Sequence, residues 1–161
     1  MVKIKTRDEI REICETLRGR GQRIVFTNGC FDILHPGHIH CLKTARDAGD
    51  TLVVGVNDDE SVKGLKGDGR PVLPESQRAE ILSALEMVDF VVLFSESTPY
   101  ELVKAVQPDV LVKGGDYRAE DVVGRDVVMA RGGHVLIVEP LPGVSTTEII
   151  RRIRAMGGDR A

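Results

Sequence analysis

Thr27-Asn28-Gly29-Cys30-Phe31-Asp32-Ile33-Leu34-His35-Pro36-Gly37-His38 joins two segments of different periodicity. Before it runs Arg23–Thr27, short, apolar and β-branched; after it, about Ile39–Ala48 carries apolar residues at helical spacing. A buried strand, a Gly-containing turn and a helix form the opening unit of an α/β domain. The alternation continues outward, with strands expected at Thr51–Asn57, Asp89–Phe94, Asp109–Lys113 and His134–Glu139. Helices are expected over about Glu75–Met87, Pro99–Val106 and Asp121–Arg131, flanked by Asp8–Arg18 and Thr146–Met156. Near-continuous hydrophobicity in the strands predicts an α/β fold: one doubly wound sheet of about five mostly parallel strands, helices on both faces.

Capping residues mark the boundaries. Thr6 precedes Asp8 and Glu9 and suits the cap of the first helix, with acids in its first turn. Gly19, Gly21 and Gly49 follow helical stretches, where a glycine often closes the last turn. Thr98-Pro99 predicts a cap and a proline at the first helical position, and Pro108 ends that helix. Ser145 or Thr146 suits the cap of the last helix. Asp58–Pro74 reads as one long polar loop, rich in Gly and Lys and longer than most connections. The tail Gly157–Ala161 reads as disordered.

Composition narrows the function. With 161 residues the chain is expected to be a single domain, 1–161, with an N-terminal helix at 6–19 and a core over 23–156. A net charge of −3 and 4% aromatic residues give neither an electrostatic footprint nor stacking platforms for nucleic acid. No apolar run has the length of a signal peptide core or a membrane span, so neither a membrane partner nor secretion is expected. Three scattered cysteines, Cys14, Cys30 and Cys41, form no disulfide framework and fit reduced thiols in the cytoplasm.

The opening turn carries the strongest chemical signal. In an open α/β sheet ligands bind beyond the carboxyl ends of the strands, and a helix start there offers N–H groups and a positive dipole to phosphate. Gly29 and Gly37 allow close backbone approach, and His35 and His38 can face one phosphate site. Two histidines three apart would be ordinary turn residues elsewhere; after Asn28-Gly29, between strand and helix, they point to chemistry. His40 and Cys41 lack a paired metal spacing, which disfavours zinc. Lys63 and Lys66 on a glycine-flanked segment suit a triphosphate as point charges. Lys113-Gly114-Gly115-Asp116 finishes an apolar strand with a lysine, an odd choice for a turn alone. Ser145-Thr146-Thr147 combines a cap with a helix start fit for phosphate, and Arg151 follows one turn later. Arg78 lies on a helix face, where a surface ion pair is the plain alternative to a phosphate contact. No GxxxxGK[ST] loop or post-strand GxGxxG is present, which disfavours P-loop kinases and dinucleotide binders.

His35-Pro36-Gly37-His38 resembles the HxGH signature of the nucleotidyltransferase superfamily, whose fold is Rossmann-like. Asn57-Asp58-Asp59-Glu60-Ser61-Val62-Lys63-Gly64-Leu65-Lys66-Gly67 resembles its lysine-bearing loop, and Gln77-Arg78-Ala79-Glu80-Ile81-Leu82 its next helix. Gly143-Val144-Ser145-Thr146-Thr147-Glu148-Ile149-Ile150 is similar to its closing signature. Leu111-Val112-Lys113-Gly114-Gly115-Asp116-Tyr117 is the most discriminating piece; it is similar to bacterial D-glycero-β-D-manno-heptose 1-phosphate adenylyltransferases. The resemblance runs from about Arg23 to Ile153.

That resemblance implies transfer of AMP from ATP to a heptose 1-phosphate, a cell-surface glycan precursor, by direct in-line attack with Mg²⁺. It implies catalytic roles for His35, His38, Lys63 and Lys66. Nucleotide contacts would come from Thr27, Asn28, Gly29, Cys30, Phe31, Gly37, Arg78, Lys113, Ser145, Thr146 and Thr147. Asp32, Asn57, Gly114, Gly115 and Asp116 would meet the sugar phosphate; the metal ligands stay unassigned. The fourth strand would lie beside the first, as in a flavodoxin-like order. A homodimer is implied, with a separate sugar kinase supplying the acceptor. Glycerol 3-phosphate or phosphoethanolamine cytidylyltransferases share the HxGH and Ser-Thr-Thr features. In the glycerol phosphate enzymes an Arg-Thr pair opens the closing signature; Leu141-Pro142-Gly143-Val144 stands there instead, and the missing arginine counts against CTP. Val144 departs mildly from the cysteine that heptose enzymes often carry. Small FAD synthetases are further relatives, and a non-catalytic nucleotide binder is the alternative from another class.

Overall fold

β2 (Ile24–Gly29) lies at the centre of a six-stranded, wholly parallel sheet in the order β1-β4-β3-β2-β5-β6. The computed structural model describes residues 2–157. The other strands are β1 (Ile4–Lys5), β3 (Thr51–Asn57), β4 (Phe90–Phe94), β5 (Val110–Gly114) and β6 (His134–Val138). The helices are α1 (Arg7–Gly19), α2 (Pro36–Asp47), α3 (Asp59–Lys66), α4 (Glu75–Ala84), α5 (Tyr100–Val106), α6 (Arg125–Met129) and α7 (Thr146–Gly157). Residues 158–161, most of the tail read as disordered, lie outside the described residues; Gly157 ends α7.

The period of two along each strand divides the core between the faces. Val25, Val54, Val91 and Val112 pack with Leu42 and Ala45 of α2 and with Ala79 and Leu82 of α4. Ile24, Phe26, Val53, Val92 and Leu111 pack on the other face with Ile10 and Cys14 of α1, Leu102, Val103 and Val106 of α5, and Val128 of α6. Full burial of each Val, Leu, Ile or Phe side chain among these contributes roughly 1.5–3 kcal/mol. The strand starts are tied by carboxylates: Asp50, Asp109 and Asp89 accept from the N–H groups of Arg23, Ile24 and Leu52.

Several expected boundaries move. β1 makes a sixth strand; its two residues, paired with Val91 and Val92, are too few for a periodic signal. The first expected strand runs on to Gly29, and α2 begins at Pro36, so both histidines belong to the helix start. The expected loop Asp58–Pro74 contains α3, capped by the Asp58 carboxylate on the Ser61 N–H and anchored by buried Val62. α4 stops at Ala84, where Leu85 turns to extended backbone. Pro99 occupies the cap position without a side-chain bond, and α5 starts at Tyr100. The expected helix Asp121–Arg131 splits into a 3₁₀ turn, Ala119–Asp121, and α6. Gly124 breaks it at φ +92°, where a Cβ would stand 2.9 Å from Val103 Cγ1. Thr6 forms a reciprocal capping box with Glu9, and Gly21 adopts φ +75° just after α1.

The strand order is also corrected. β5 does lie beside β2, the adjacency the resemblance implied. Counted from β2, however, the order is 3-2-1-4-5, that of the dinucleotide-binding fold, rather than the flavodoxin-like 2-1-3-4-5. The order reverses at β2. Pairing of β2 with β5 ends at Thr27↔Val112, although the strands run on to Gly29 and Gly114. Their carboxyl ends therefore part, and a crevice opens between them.

Candidate active site

Beyond Gly29 the chain turns sharply. Phe31 holds φ +47°, a left-handed conformation that is costly for a bulky residue, and its ring is buried. Asp32 follows, 1% exposed. Its carboxylate accepts from the N–H groups of Val72 (2.8 Å) and Leu73 (2.9 Å) and from Arg70 Nε (2.6 Å). Burial alone would push this carboxyl up; the two backbone donors and the Arg70 guanidinium outweigh it and hold it below its ordinary value.

Arg78 is the second buried charge at this turn, 1% exposed. Its three nitrogens donate to Leu73 O (3.0 Å), Cys30 O (2.6 Å) and Asp59 Oδ1 (2.8 Å). The sequence expectation gave Arg78 a nucleotide contact and Asp32 a place at the sugar phosphate; in the structure both charges are engaged by protein partners. Arg78 is not among the residues that line the cleft, and it ties the turn at Cys30 to Asp59 of α3 and to Leu73. Asp32 borders the cleft, but its oxygens are occupied by protein donors.

His35 caps α2, and its Nδ1 accepts from the Gly37 N–H at 3.1 Å. A neutral imidazole that accepts at Nδ1 carries its proton on Nε2, which makes His35 a donor there. The His38 ring stacks on it, with centroids 3.8 Å apart and 23° between planes, and the Phe31 ring lies 5.1 Å from His38. His38 Nδ1 is buried with no hydrogen-bond partner among the described residues. Burial lowers the His35 pKa. Burial, then the charge of His35, lowers that of His38 to about 4. Both rings are neutral at pH 7.

These groups open onto a cleft of about 650 Å³ at the parted ends of β2 and β5. Thr27, Asn28, Gly29, Cys30 and Phe31 form its floor, with His35, Gly37 and His38 beside them. Asn57 and Lys66 line one wall, and Lys113, Gly114 and Gly115 another. Ser145, Thr146 and Thr147 bring the start of α7 to the same space; Ser145 Oγ caps that helix on the Glu148 N–H at 3.1 Å. The two helix starts converge, since Val144 O lies 3.7 Å from where a Cβ on Gly37 would be. Lys63 and Asp116 are exposed and stand off the cleft lining. Arg151 pairs with Glu148 at 2.6 Å instead of reaching in.

Burial lowers the Lys113 pKa, and its ammonium sits 5.2 Å from the centroid of the Tyr117 ring. Cys30 and Cys41 also line the cleft; burial raises both thiols, so they stay protonated at pH 7. His40 diverges from Cys41 into an open groove with Leu34, Ile39 and Lys43. Among the described residues no group of three or more His, Cys, Asp or Glu side chains could hold a metal ion. The sequence reading missed Leu65, Arg70 and Tyr117 on the cleft wall. Arg70 had a usable signal: an arginine between Gly69 and Pro71, in a segment already marked by its length.

The arrangement concentrates hydrogen-bond donors, two helix starts and two lysines around one cleft, which suits phosphate groups. A family model described as cytidylyltransferase-like matches residues 26–152. The bifunctional protein HldE of a Nitratiruptor species is 54% identical over 152 residues, 94% of this chain and 32% of that protein. The bifunctional protein HldE of Syntrophotalea carbinolica is 52% identical over 151 residues, 94% of this chain and 31% of that one. The chain thus spans about a third of the length of these curated relatives. A lipopolysaccharide core biosynthesis protein from Thermoplasma volcanium superposes with a TM-score of 0.61 at 33% identity, over 75% of this chain and 98% of that one. A pantoate-beta-alanine ligase from Francisella tularensis shares the fold, with a TM-score of 0.62 at 17% identity over 96% of this chain and 77% of that one. Among the described residues no helix is long and apolar enough to cross a membrane.

Proposed function

The chain belongs to the cytidylyltransferase-like family, and from that premise we propose that it transfers AMP from ATP to D-glycero-β-D-manno-heptose 1-phosphate. The carrying observation is the stacked His35–His38 pair at the start of α2, which shares one cleft with the start of α7. The likeness to the HldE proteins and to the Thermoplasma volcanium protein supports the sugar nucleotide class.

An oxygen of the sugar 1-phosphate attacks the α-phosphorus of ATP in line. The new P–O bond forms as the bond to the β-phosphate oxygen breaks, and pyrophosphate leaves with that electron pair. Positioning and charge stabilisation supply most of the rate. The Nε2–H of His35 and the ring of His38 stabilise charge growing on the α-phosphate; as neutral rings they donate hydrogen bonds rather than transfer protons. Lys66 and the Ser145–Thr147 helix start hold the leaving β- and γ-phosphates. Lys113 and the Gly114–Gly115 backbone face the acceptor side.

Mg²⁺ fits as an ion carried in on the triphosphate: the described residues offer no cage of their own, and this ion commonly uses few protein ligands. Bound there, it neutralises phosphate charge. An upstream sugar kinase supplies the acceptor, in the cytoplasm. The chain assembles as a homodimer; α7, with no buried residue and with Ile153 and Met156 exposed, offers an apolar face for it.

The test is pyrophosphate release with this heptose 1-phosphate and Mg²⁺, ATP against CTP. Release with ATP alone is expected. Release only with CTP, or only when glycerol 3-phosphate replaces the heptose, refutes the substrate assignment.

A further inference from the structure

Arg70 is a cleft cation that stands outside the family motifs quoted above. Its side chain is 14% exposed, against 0% for its partner Asp32, and it lines the cleft with Lys66 and Lys113. One edge of the guanidinium is committed, with Nε donating to Asp32 Oδ2 at 2.6 Å. Its two terminal nitrogens meet no protein acceptor among the described residues. Asp32 is itself fixed by the Val72 and Leu73 N–H groups. A guanidinium held by its Nε leaves a planar fork of N–H donors, the geometry that takes two oxygens of one phosphate.

We propose that Arg70 binds a phosphate group in the cleft and that Asp32 is the positioning residue that aims it. This rests on the nucleotidyl-transfer reading and adds a residue to it. Asp32 stands three residues before His35 in the same turn, so one carboxylate sets the fork relative to the histidine pair. The negative charge of Asp32 is shared among three donors, which leaves the Arg70 fork an effective anion partner. The phosphate comes either from the nucleotide or from the acceptor sugar, and the two sources separate in the test.

The experiment uses the full chain and its R70A, R70K, D32N and D32N/R70A variants, each checked by thermal melting. Calorimetry reads binding of ATP, of inorganic pyrophosphate and of the heptose 1-phosphate separately; steady-state assays give KM and kcat. R70A is expected to weaken one ligand class by about 10- to 100-fold. Weakening of ATP and pyrophosphate assigns Arg70 to the nucleotide; weakening of the sugar phosphate alone assigns it to the acceptor. R70K keeps the charge, loses the fork and is expected to recover little. D32N is expected to weaken the same ligand and to add almost nothing to R70A. All three affinities within twofold of the parent in both R70A and R70K overturn the proposal. Equal, additive weakening by D32N in the presence and absence of Arg70 overturns the positioning role. Calorimetry needs no turnover, so a failure of the proposed reaction stays distinct from a failure of this assignment.

Discussion

Lowering the pH from 7 to 5 puts a proton on His38 of the unfolded chain well before it puts one on His38 of the folded protein. Burial, together with the charge of His35, takes the folded pKa to about 4, against an ordinary value of 6.5. Between those values the unfolded state binds more protons, so stability falls as pH falls. With these two values the linkage relation gives a loss of about 2 kcal/mol between pH 7 and pH 5. His35, also lowered by burial, adds a loss of the same sign. Asp32, Glu9, Glu96 and Glu148 have lowered carboxyl pKa values and run differently. Their contribution is present above the ordinary carboxylate range and fades below it, outside this window. Urea unfolding of the parent and of His38→Gln at pH 7 and pH 5 isolates the effect. The parent should lose about 2 kcal/mol more than the variant across that interval. Parallel losses in the two proteins would refute the burial argument and, with it, the neutral-ring mechanism.

His35→Ala and His38→Ala should each lower kcat by about 100-fold or more, as the removal of an oxyanion donor does, which steady-state pyrophosphate release measures. Gly37→Ala would place a Cβ 2.9 Å from His35 Cε1 and 3.0 Å from its Nδ1, where the Gly37 N–H now donates. Displacing that ring costs about 1 kcal/mol of capping energy, so activity should fall far more than the urea midpoint moves. Arg78→Met leaves Cys30 O, Leu73 O and the Asp59 carboxylate without their donor. Denaturant melts should show a loss of about 3 kcal/mol; unchanged stability with a raised KM for ATP would make Arg78 a ligand contact instead.

The sheet was legible because its strands are buried on both faces: Ile24–Phe26, Leu52–Val56 and Val110–Val112 leave no helical alternative once glycines bound them. The His35–His38 turn was legible because its position after a strand and before a helix is a local property. The strand order was not, because adjacency and order are separate facts. Lys113–Gly114 lies near the histidines, as the resemblance implied; the side of β2 on which each crossover returns has no local pattern, and β1 adds a strand whose two residues carry none of their own.

The two residues whose surroundings the sequence did not reveal share one physical cause. Asp32 and Arg78 have the charges that bind substrates, and their local sequence does not reveal that each is buried among partners distant in the chain. Asp32 meets Val72 and Leu73; Arg78 meets Cys30. The segment that supplies Val72 and Leu73 stood out by its length and its lysines, but the short helix α3 within it, capped by Asp58, gave no periodic signal. A buried charge with all its atoms engaged costs less than an unpaired one only if the partners are held still. The Asp32 and Arg78 ties therefore fix the turn that carries Phe31 at its strained φ. They leave Arg70, the outer member of the same network, as the cation that still has donors to offer the cleft.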